Sequence, residues 1–196
     1  MIPHTRGTMI FLDLFSGLKG ASYSFDKALG WEVITVDVDS KFNPSIVANI
    51  LNWHYQGKHV TFLWASPPCD EFTLYSLPGS WPCHHGKEKK MPSMDLVNAT
   101  KRIIEEVRPD YWIIENVKGA VPFLDPVFGK YKKHVGSRYL WGEFPIFDTS
   151  HKYGKWRLPP GETRKAKRAE IPHSISKALL NSFYEAAHDP HTPAVI

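Results

Sequence analysis

The sequence reads Met9-Ile10-Phe11-Leu12-Asp13-Leu14-Phe15-Ser16-Gly17-Leu18-Lys19-Gly20 where its first strand is predicted. Residues 9–12 are apolar without interruption, which is typical of a parallel strand covered on both faces of its sheet. The turn behind the strand contains Gly17 and Gly20. Glycines at such a turn let backbone N–H groups approach a ligand closely at the start of a helix. The stretch therefore predicts a strand–turn–helix unit, and the turn either binds a nucleotide-type ligand or is an ordinary tight turn.

Strands and helices alternate along the rest of the chain. Helices are predicted over Ala21–Leu29, with Gly30 as its stop, from an N-cap at Ser93 to about Val107, and over Ser174–Ala187. Further apolar runs predict strands at Val33–Val36, Ile46–Ile50, Val60–Trp64 and Tyr111–Ile114. This alternation predicts an α/β fold with a Rossmann-like, doubly wound, mostly parallel sheet.

Two stretches have the composition of loops. Residues 78–92 contain glycines, prolines and a run of lysines. The longer stretch from Lys118 to about Thr163 is rich in glycine, proline and aromatic residues, and one hairpin is expected in it near Tyr139–Phe147. Long loops inside a compact domain usually carry function or move.

The charge of the chain is uneven. Its formal net charge is +4, and between His151 and Arg168 seven Lys or Arg residues stand against Glu162 alone. Such a stretch is either a solvated loop or a contact to nucleic-acid phosphates. No apolar run reaches the roughly 20 residues that a membrane span requires. The N-terminus leads directly into a strand, so we expect neither a membrane segment nor a secretory signal.

The chain has two cysteines, Cys69 and Cys83. Two are too few for a disulfide framework, and we expect reduced thiols in a cytoplasm. His84 and His85 follow Cys83. Adjacent residues rarely supply a tetrahedral ligand set, and no fourth ligand is evident, so no metal site is expected.

An acidic residue ends the second predicted strand. Asp37 lies about 20 residues after Gly17, and in doubly wound folds a carboxylate at that place commonly accepts hydrogen bonds from ribose hydroxyls. Asp39 is a weaker rival for this role, and an ordinary turn aspartate is the alternative interpretation.

A cysteine and a glutamate follow two of the predicted strands. Cys69 comes after two prolines, whose fixed φ angles hold the backbone stiffly, and Glu115 closes the run Tyr111–Ile114. Because the carboxyl ends of parallel strands meet at one edge, we expect both side chains at the rim where α/β folds bind ligands. The residue types suit a nucleophile and an acid whose pKa is raised by burial. A buried structural thiol is the alternative for Cys69 taken alone.

Four segments together resemble the cytosine-5 DNA methyltransferase family. They are Asp-Leu-Phe-Ser-Gly at 13–17, the acidic end of the second strand, Pro-Pro-Cys at 67–69 and Glu-Asn-Val at 115–117. The resemblance covers roughly residues 9–120, and it is to the small, phage-like form. It implies a Rossmann-like catalytic domain that binds S-adenosylmethionine and methylates C5 of cytosine in DNA through a covalent cysteine adduct. It also implies a location in the cytoplasm of a bacterium or of a phage-infected host cell.

The resemblance assigns expected roles to individual residues. Cys69 matches the nucleophile and Glu115 its partner acid, while Arg138 is the best substitute for the family's arginine segment. The expected S-adenosylmethionine contacts are Phe15, Ser16, Gly17 and Gly20 at the methionine end, Asp37 at the ribose, Val38 at the adenine, and also Asp13, Asn49, Ile50 and Pro67. Asn49 stands where the family often has an acidic residue for the adenine amine.

Little of the chain is left to read a DNA sequence. The family's recognition domain would lie between Leu140 and Glu170, and about thirty residues are too few for an independent domain. We therefore expect one catalytic domain over residues 1–196, with residues 78–92 as a mobile loop beside the active site and residues 145–170 as a basic loop in place of a recognition domain. Sequence readout would be slight or supplied by a specificity partner protein.

Two other functions remain open. The same chemistry on RNA, single strands or free pyrimidine nucleotides needs no recognition domain. A catalytically weak protein that binds S-adenosylmethionine or nucleic acid is favoured by Asn49 and by Asp70, since a carboxylate beside the thiol raises the pKa of Cys69. The presence of both Cys69 and Glu115 argues against it.

Overall fold

The structure is a computed structural model, which describes residues 7–73, 91–149, 167 and 169–188. Its strands are β1 Met9–Leu14, β2 Trp31–Asp37, β3 Ile46–Val47, β4 Phe62–Ala65, β5 Tyr111–Val117, β6 Lys133–Val135 and β7 Arg138–Glu143. Its helices are α1 Asp95–Val107, α2 Val121–Phe128 and α3 His173–His188. Short 3₁₀ turns lie at Ser40–Phe42, Asp70–Phe72 and Lys118–Ala120.

The strands of the described residues form one seven-stranded sheet in the order β3-β2-β1-β4-β5-β7-β6. The pairs from β3 to β5 are parallel, whereas β7 runs antiparallel to β5 and β6 antiparallel to β7. The chain reaches β1 first and then builds the sheet outward on both sides, as a doubly wound fold does. The predicted Rossmann-like, mostly parallel sheet is confirmed.

Apolar layers cover both faces of this sheet. One face packs against α1 and α2 through a core whose buried members include Leu12, Leu63, Ile103, Leu124 and Trp141. The other packs against α3 and the segment after β1, and its buried members include Phe11, Phe25, Phe62, Ile175 and Leu179. The two faces explain why the strands are apolar at successive positions rather than at alternate ones.

The prediction of a helix over Ala21–Leu29 is wrong, because residues 20–27 form a series of turns. Within it the Asp26 amide donates to the Ser22 carbonyl, as in a helix. The Ser22 hydroxyl, however, donates to Asp13 and approaches the Lys19 carbonyl. Local hydroxyl bonds of this kind compete with helix formation. Phe25, fully buried against Phe11, adds a tertiary constraint that the periodicity could not reveal.

Several other boundaries differ from the prediction, among them the end of β5, which lies at Val117 and not at Ile114. The predicted loop from Lys118 to Thr163 contains α2, β6 and β7, and the hairpin joins β6 to β7 rather than lying at Tyr139–Phe147. The third strand covers only Ile46–Val47. Helix α1 has Met94 at its N-cap, while the Ser93 hydroxyl accepts the Asp95 amide one residue earlier. Most of the predicted mobile loop, 78–90, and of the basic loop, 150–166 and 168, lies outside the described residues.

Gly142 lets β7 approach β5 closely. Its φ is 133°, and a Cβ at this position would collide with the Trp112 carbonyl oxygen of β5. Gly129 also has a positive φ of 80°, but no atom lies within 4 Å of its would-be Cβ. A comparison of alanine substitutions at the two glycines therefore distinguishes the cost of backbone strain from the cost of a steric collision.

We predict that Gly142→Ala lowers the free energy of unfolding by about 2 kcal/mol more than Gly129→Ala does. Both variants carry conformational strain of about 1–3 kcal/mol, but only the first places a methyl group against strand backbone. Urea denaturation of the two variants checks this. Equal losses would mean that β7 can shift away from β5 without cost.

Candidate active site

The register of the parallel strands aligns one row of residues at the carboxyl edge of the sheet. Val36, Leu14, Ala65 and Ile114 are paired across β2, β1, β4 and β5. The residues that follow them are Asp37, Phe15, Ser66 and Glu115. Neighbouring strands are about 4.8 Å apart, so this row spans about 14 Å. The segments at the carboxyl ends of β1, β2 and β5 thus meet at one edge of the sheet. The Pro67–Cys69 segment, which follows β4, starts at the same edge.

The turn after β1 has an unusual backbone. Phe15, Gly17 and Lys19 have positive φ angles of 59°, 45° and 60°. The Ser16 amide donates to the Val36 carbonyl, and the Lys19 ammonium group donates to the Asn43 carbonyl. Left-handed geometry at two non-glycine residues stores strain, which the surrounding contacts must hold in place. The Ser16 hydroxyl oxygen is buried and has no hydrogen-bond partner within the described residues.

Asp37 is fixed by the same turn. One of its carboxylate oxygens accepts the Gly17 amide at 2.9 Å, and the other accepts the Asp39 amide at 2.9 Å. A carboxylate has about four acceptor sites, so capacity remains for a ligand. Val38 follows directly and is 68% exposed.

Asp13 lies beneath this turn with 1% exposure. The Ser22 hydroxyl donates to one of its oxygens at 2.7 Å. Burial raises the pKa of Asp13 to about 7, and the nearby charge of Asp37 adds to the rise, while the Ser22 bond and Lys19 oppose it. Asp13 supports the turn from inside the protein.

The remaining residues expected at the cofactor have different surroundings. A Cβ on Gly20 would collide with the Ile171 carbonyl, so the segment before α3 passes against this glycine. Asn49 is exposed, and its side-chain oxygen accepts the Leu51 amide. Ile50 and Pro67 are buried, the first with 3% exposure.

Asn116 holds the segment that carries Cys69. Its side-chain amide donates to the Pro67 carbonyl at 3.1 Å, and its side-chain oxygen accepts the Val117 amide. Asn116 is 1% exposed. Sequence reasoning gave it no role, although it stands inside the Glu-Asn-Val segment. A buried amide directly after a candidate catalytic acid was the available signal, because buried polar groups need partners.

Glu115 and Arg138 form a partly buried pair. The Arg138 Nε lies 3.8 Å from the Glu115 Oε1, and Arg138 also donates to the Glu170 carbonyl at 2.7 Å. Burial raises the pKa of Glu115, while the Arg138 charge and a hydrogen bond from Ser66 oppose that rise. Ser66 in turn accepts the Trp64 indole N–H at 2.8 Å. The predicted rise in the pKa of Glu115 is confirmed.

Cys69 interacts electrostatically with the same pair. Its thiol pKa is raised by burial, then by the Glu115 carboxylate and by Asp70, while a backbone hydrogen bond and the Arg138 charge oppose the rise. The effect of Asp70 has the predicted direction. Cys69, Glu115 and Arg138, the three expected catalytic residues, are therefore brought together.

No group of three His, Cys, Asp or Glu residues in the described ranges is arranged to hold a metal ion, and residues 83–85 lie outside those ranges. In the same part of the chain, no helix combines the length and the apolar character needed to cross a membrane.

We predict that Asp70→Gln speeds alkylation of Cys69. Removing the carboxylate lowers the thiol pKa, and the thiolate is the reactive form. In a Cys83→Ser background Cys69 is the sole thiol, and its rate with iodoacetamide at pH 8 should rise about threefold. Glu71→Gln is the matched control, because Glu71 accepts the Ser93 amide and does not contribute to the shift at Cys69. An unchanged or slower rate for Asp70→Gln would show that the carboxylate does not act on the thiol.

Asp13 should make stability depend on pH. Its pKa is raised from 3.8 to about 7 in the folded state. The folded protein therefore keeps a proton that the unfolded chain loses. This contribution to stability is complete below about pH 4 and is lost as the pH rises through about 7.

In Asp13→Asn that pH dependence should disappear. Relative to this variant, the wild-type free energy of unfolding is expected to fall by up to about 4 kcal/mol between pH 4 and pH 8. Urea denaturation across that range measures the difference. Asp26→Asn, an exposed position of the same segment, should track the wild type, and parallel profiles for Asp13→Asn would refute the buried-charge account.

Comparison with known proteins relates the chain to one family. The model of the family "C-5 cytosine-specific DNA methylase" matches residues 9–125. A protein of Frog virus 3 (isolate Goorha), named "Probable DNA (cytosine-5)-methyltransferase", is 32% identical over 120 residues, which are 55% of this chain and 53% of that protein. The chain thus spans about half the length of this curated relative.

Two solved structures are similar at lower identity. One is a candidate DNA modification methyltransferase encoded within an E. coli prophage, with a TM-score of 0.48 and 18% identity over 69% of this chain and 46% of that one. The other is the Entamoeba histolytica methyltransferase EhMeth, with a TM-score of 0.45 and 13% identity over 79% of this chain and 58% of that one. Because the family model covers more than half of its residues, this chain belongs to the C-5 cytosine-specific DNA methylase family.

Proposed function

We propose that this protein transfers a methyl group from S-adenosylmethionine to C5 of cytosine in DNA, through a covalent adduct on Cys69 and with little sequence readout of its own. The observation that carries the proposal is the alignment of Asp37, Phe15, Ser66 and Glu115 along one sheet edge, with Cys69 coupled electrostatically to Glu115 and Arg138. A length of about 14 Å is enough to set a donor and a planar base side by side.

The residues at the first half of this edge fit S-adenosylmethionine. The buried Ser16 hydroxyl lacks a partner within the described residues and can donate to the amino-acid carboxylate. The Asp37 carboxylate is held by two amides with acceptor sites left for ribose hydroxyls. Val38 offers an exposed apolar side chain for the adenine ring. When bound, the cofactor supplies an electrophilic methyl group on a sulfonium ion.

The C5 atom of cytosine is a poor nucleophile, and Cys69 and Glu115 together would make it electron-rich. The Cys69 thiolate forms a bond to C6, and the displaced electron pair moves to N3, which takes the proton of Glu115. The electron-rich C5 would then bond to the methyl group, while the bond between that carbon and the sulfonium sulfur would break and leave a neutral thioether. Loss of the C5 proton to solvent restores the ring double bond and breaks the S–C6 bond, while N3 returns its proton to Glu115.

The raised pKa values of Cys69 and Glu115 serve this sequence as a pair. The negative charge of Glu115 raises the pKa of Cys69, so a proton that moves from the thiol to Glu115 removes the obstacle to thiolate formation. One proton shared in this way yields the nucleophile and the acid together. The two groups should therefore titrate with apparent pKa values that belong to the pair.

Arg138 is suited to keep the Glu115 carboxyl group oriented toward the base. It links Glu115 of β5 to the Glu170 carbonyl of the segment before α3. Because that segment also passes against Gly20, the acid and the cofactor turn share a support.

DNA affinity would come chiefly from charge. Phe144 and Phe147 are both buried with 3% exposure, so their rings fix this stretch to the core, and mainly residues 148–170 remain of the interval available for recognition. The basic residues between His151 and Arg168 suit phosphate contacts without base readout. A specificity partner protein would then select the target.

Methyl transfer from labelled S-adenosylmethionine tests the function. We expect label in duplex DNA, loss of about a thousandfold in rate for Cys69→Ala, and about a hundredfold for Glu115→Gln. Duplex DNA with 5-fluorocytosine should form an adduct that survives denaturing gels, since its C5 cannot lose a proton. Cys83→Ser, which removes the other cysteine, is the matched control.

Each other outcome changes the proposal in a defined way. If label appears only in RNA, in single strands or in free cytidine nucleotides, that molecule and not duplex DNA is the acceptor. Cofactor binding without transfer to any acceptor would leave a binding protein. Adduct formation in Cys69→Ala would refute the assigned nucleophile.

A further inference from the structure

One side chain of helix α1, Arg102, ties down the loop of residues 48–53 that follows β3. Its NH2 group donates to the Ile50 carbonyl at 2.8 Å and to the Trp53 carbonyl at 3.0 Å. Its NH1 group donates to both oxygens of Glu106 at 2.8 and 3.0 Å and lies 3.0 Å from the His54 Nδ1. At its other end, the 48–53 loop is anchored where the Ala48 amide donates to the Asp37 carbonyl.

These bonds determine what the 48–53 loop presents at the sheet edge. The Ile50 side chain is buried in the core, and the Ile50 carbonyl accepts a hydrogen bond from Arg102. The side-chain oxygen of Asn49 accepts the Leu51 amide, and its carbonyl accepts the Asn52 amide. Asn49 and Leu51 remain exposed, at the end of the strand that pairs with β2.

We propose that Arg102 is a positioning residue for the adenine end of the cofactor pocket. It acts through the 48–53 loop and does not touch the cofactor. The inference rests on the proposed function, which places the ribose at Asp37 and the adenine at Val38. The 48–53 loop adjoins this place, because the Ala48 amide donates to the Asp37 carbonyl. A loop already held in its binding conformation costs less ordering entropy when a ligand binds, so the effect of Arg102 is on affinity.

The chemistry of the side chain explains why an arginine is needed. A guanidinium group has five N–H donors in a rigid plane and can serve two carbonyls and a carboxylate together. A lysine offers one compact ammonium group and cannot span those partners. Arg102→Lys therefore preserves the charge and most of the stem but removes the fixed fork.

A substitution of Arg102 can also lower the stability of the whole protein. A control position on the same helix distinguishes that effect from a specific effect on the 48–53 loop. Helix α1 packs into the core through Val97, Ala99 and Ile103, whereas the hydrogen bonds of Arg102 go to Ile50, Trp53, His54 and Glu106. Lys101, the preceding residue, is exposed and pairs only loosely with Glu105 at 3.8 Å. Lys101→Ala is thus a matched control on the same helix.

Calorimetric titration of the full chain with two probes tests the proposal. The probes are S-adenosylhomocysteine and 5′-deoxy-5′-methylthioadenosine, which lacks the amino-acid group. Arg102→Lys should raise both Kd values by about tenfold, and Glu106→Gln should raise them in the same direction but less. Lys101→Ala should leave both unchanged. In turnover assays, Arg102→Lys should raise the KM for S-adenosylmethionine and leave kcat and the KM for DNA within about twofold.

The outcomes separate this inference from the proposed function. Failure of the wild type to bind either probe would overturn both. Wild-type binding with unchanged Kd values in Arg102→Lys would overturn the role of Arg102 alone, and so would a fall in kcat at unchanged KM, which indicates partial unfolding. If Arg102→Lys does not fold, Glu106→Gln decides, because it loosens the same guanidinium without removing it.

Discussion

In-register pairing of β2, β1, β4 and β5 is the constraint on which the site depends. Because Val36, Leu14, Ala65 and Ile114 are paired across these four strands, the residues that follow them lie side by side. A slip of one residue in any strand would turn its last side chain to the opposite face. The apolar layers on both faces oppose such a slip, because it would move the buried apolar side chains of these strands out of their packing.

Long-range hydrogen bonds then turn aligned strand ends into a fixed site. Asn116 reaches across 49 residues of sequence to the Pro67 carbonyl, which holds the Cys69 segment to β5. Arg138 and Gly20 both meet the segment of residues 170–171. Arg102 ties the 48–53 loop to α1 in the same manner. Each of these bonds joins a loop at the sheet edge to an element that the core has already fixed.

The two buried acids, Asp13 and Glu115, have different charged and polar neighbours. Asp13 and Glu115 both have a raised pKa because of burial. Asp13 is 1% exposed and bonded to Ser22, whereas Glu115 faces Arg138 and acts on the Cys69 thiol. Asp13 lies beneath the turn after β1, and Glu115 lies at the carboxyl edge of the sheet. In both acids burial thus favours the protonated form, and perturbed pKa values of this kind are typical of functional sites.

The sequence by itself determined the parallel strands β1 to β5 and the place of Asp37 and Glu115 at their carboxyl edge, with Cys69 in the segment that follows β4. Uninterrupted apolar runs and short polar segments are local signals, and they persist whatever the rest of the chain does. Only the tertiary structure decided that residues 20–27 are turns, that β6 and β7 form the hairpin, and that Asn116 and Arg102 act as tethers. These features depend on partners far away in the sequence, such as Phe11 for Phe25 and Pro67 for Asn116. Local propensity has no information about such partners, since packing energy exists only once the chain has folded.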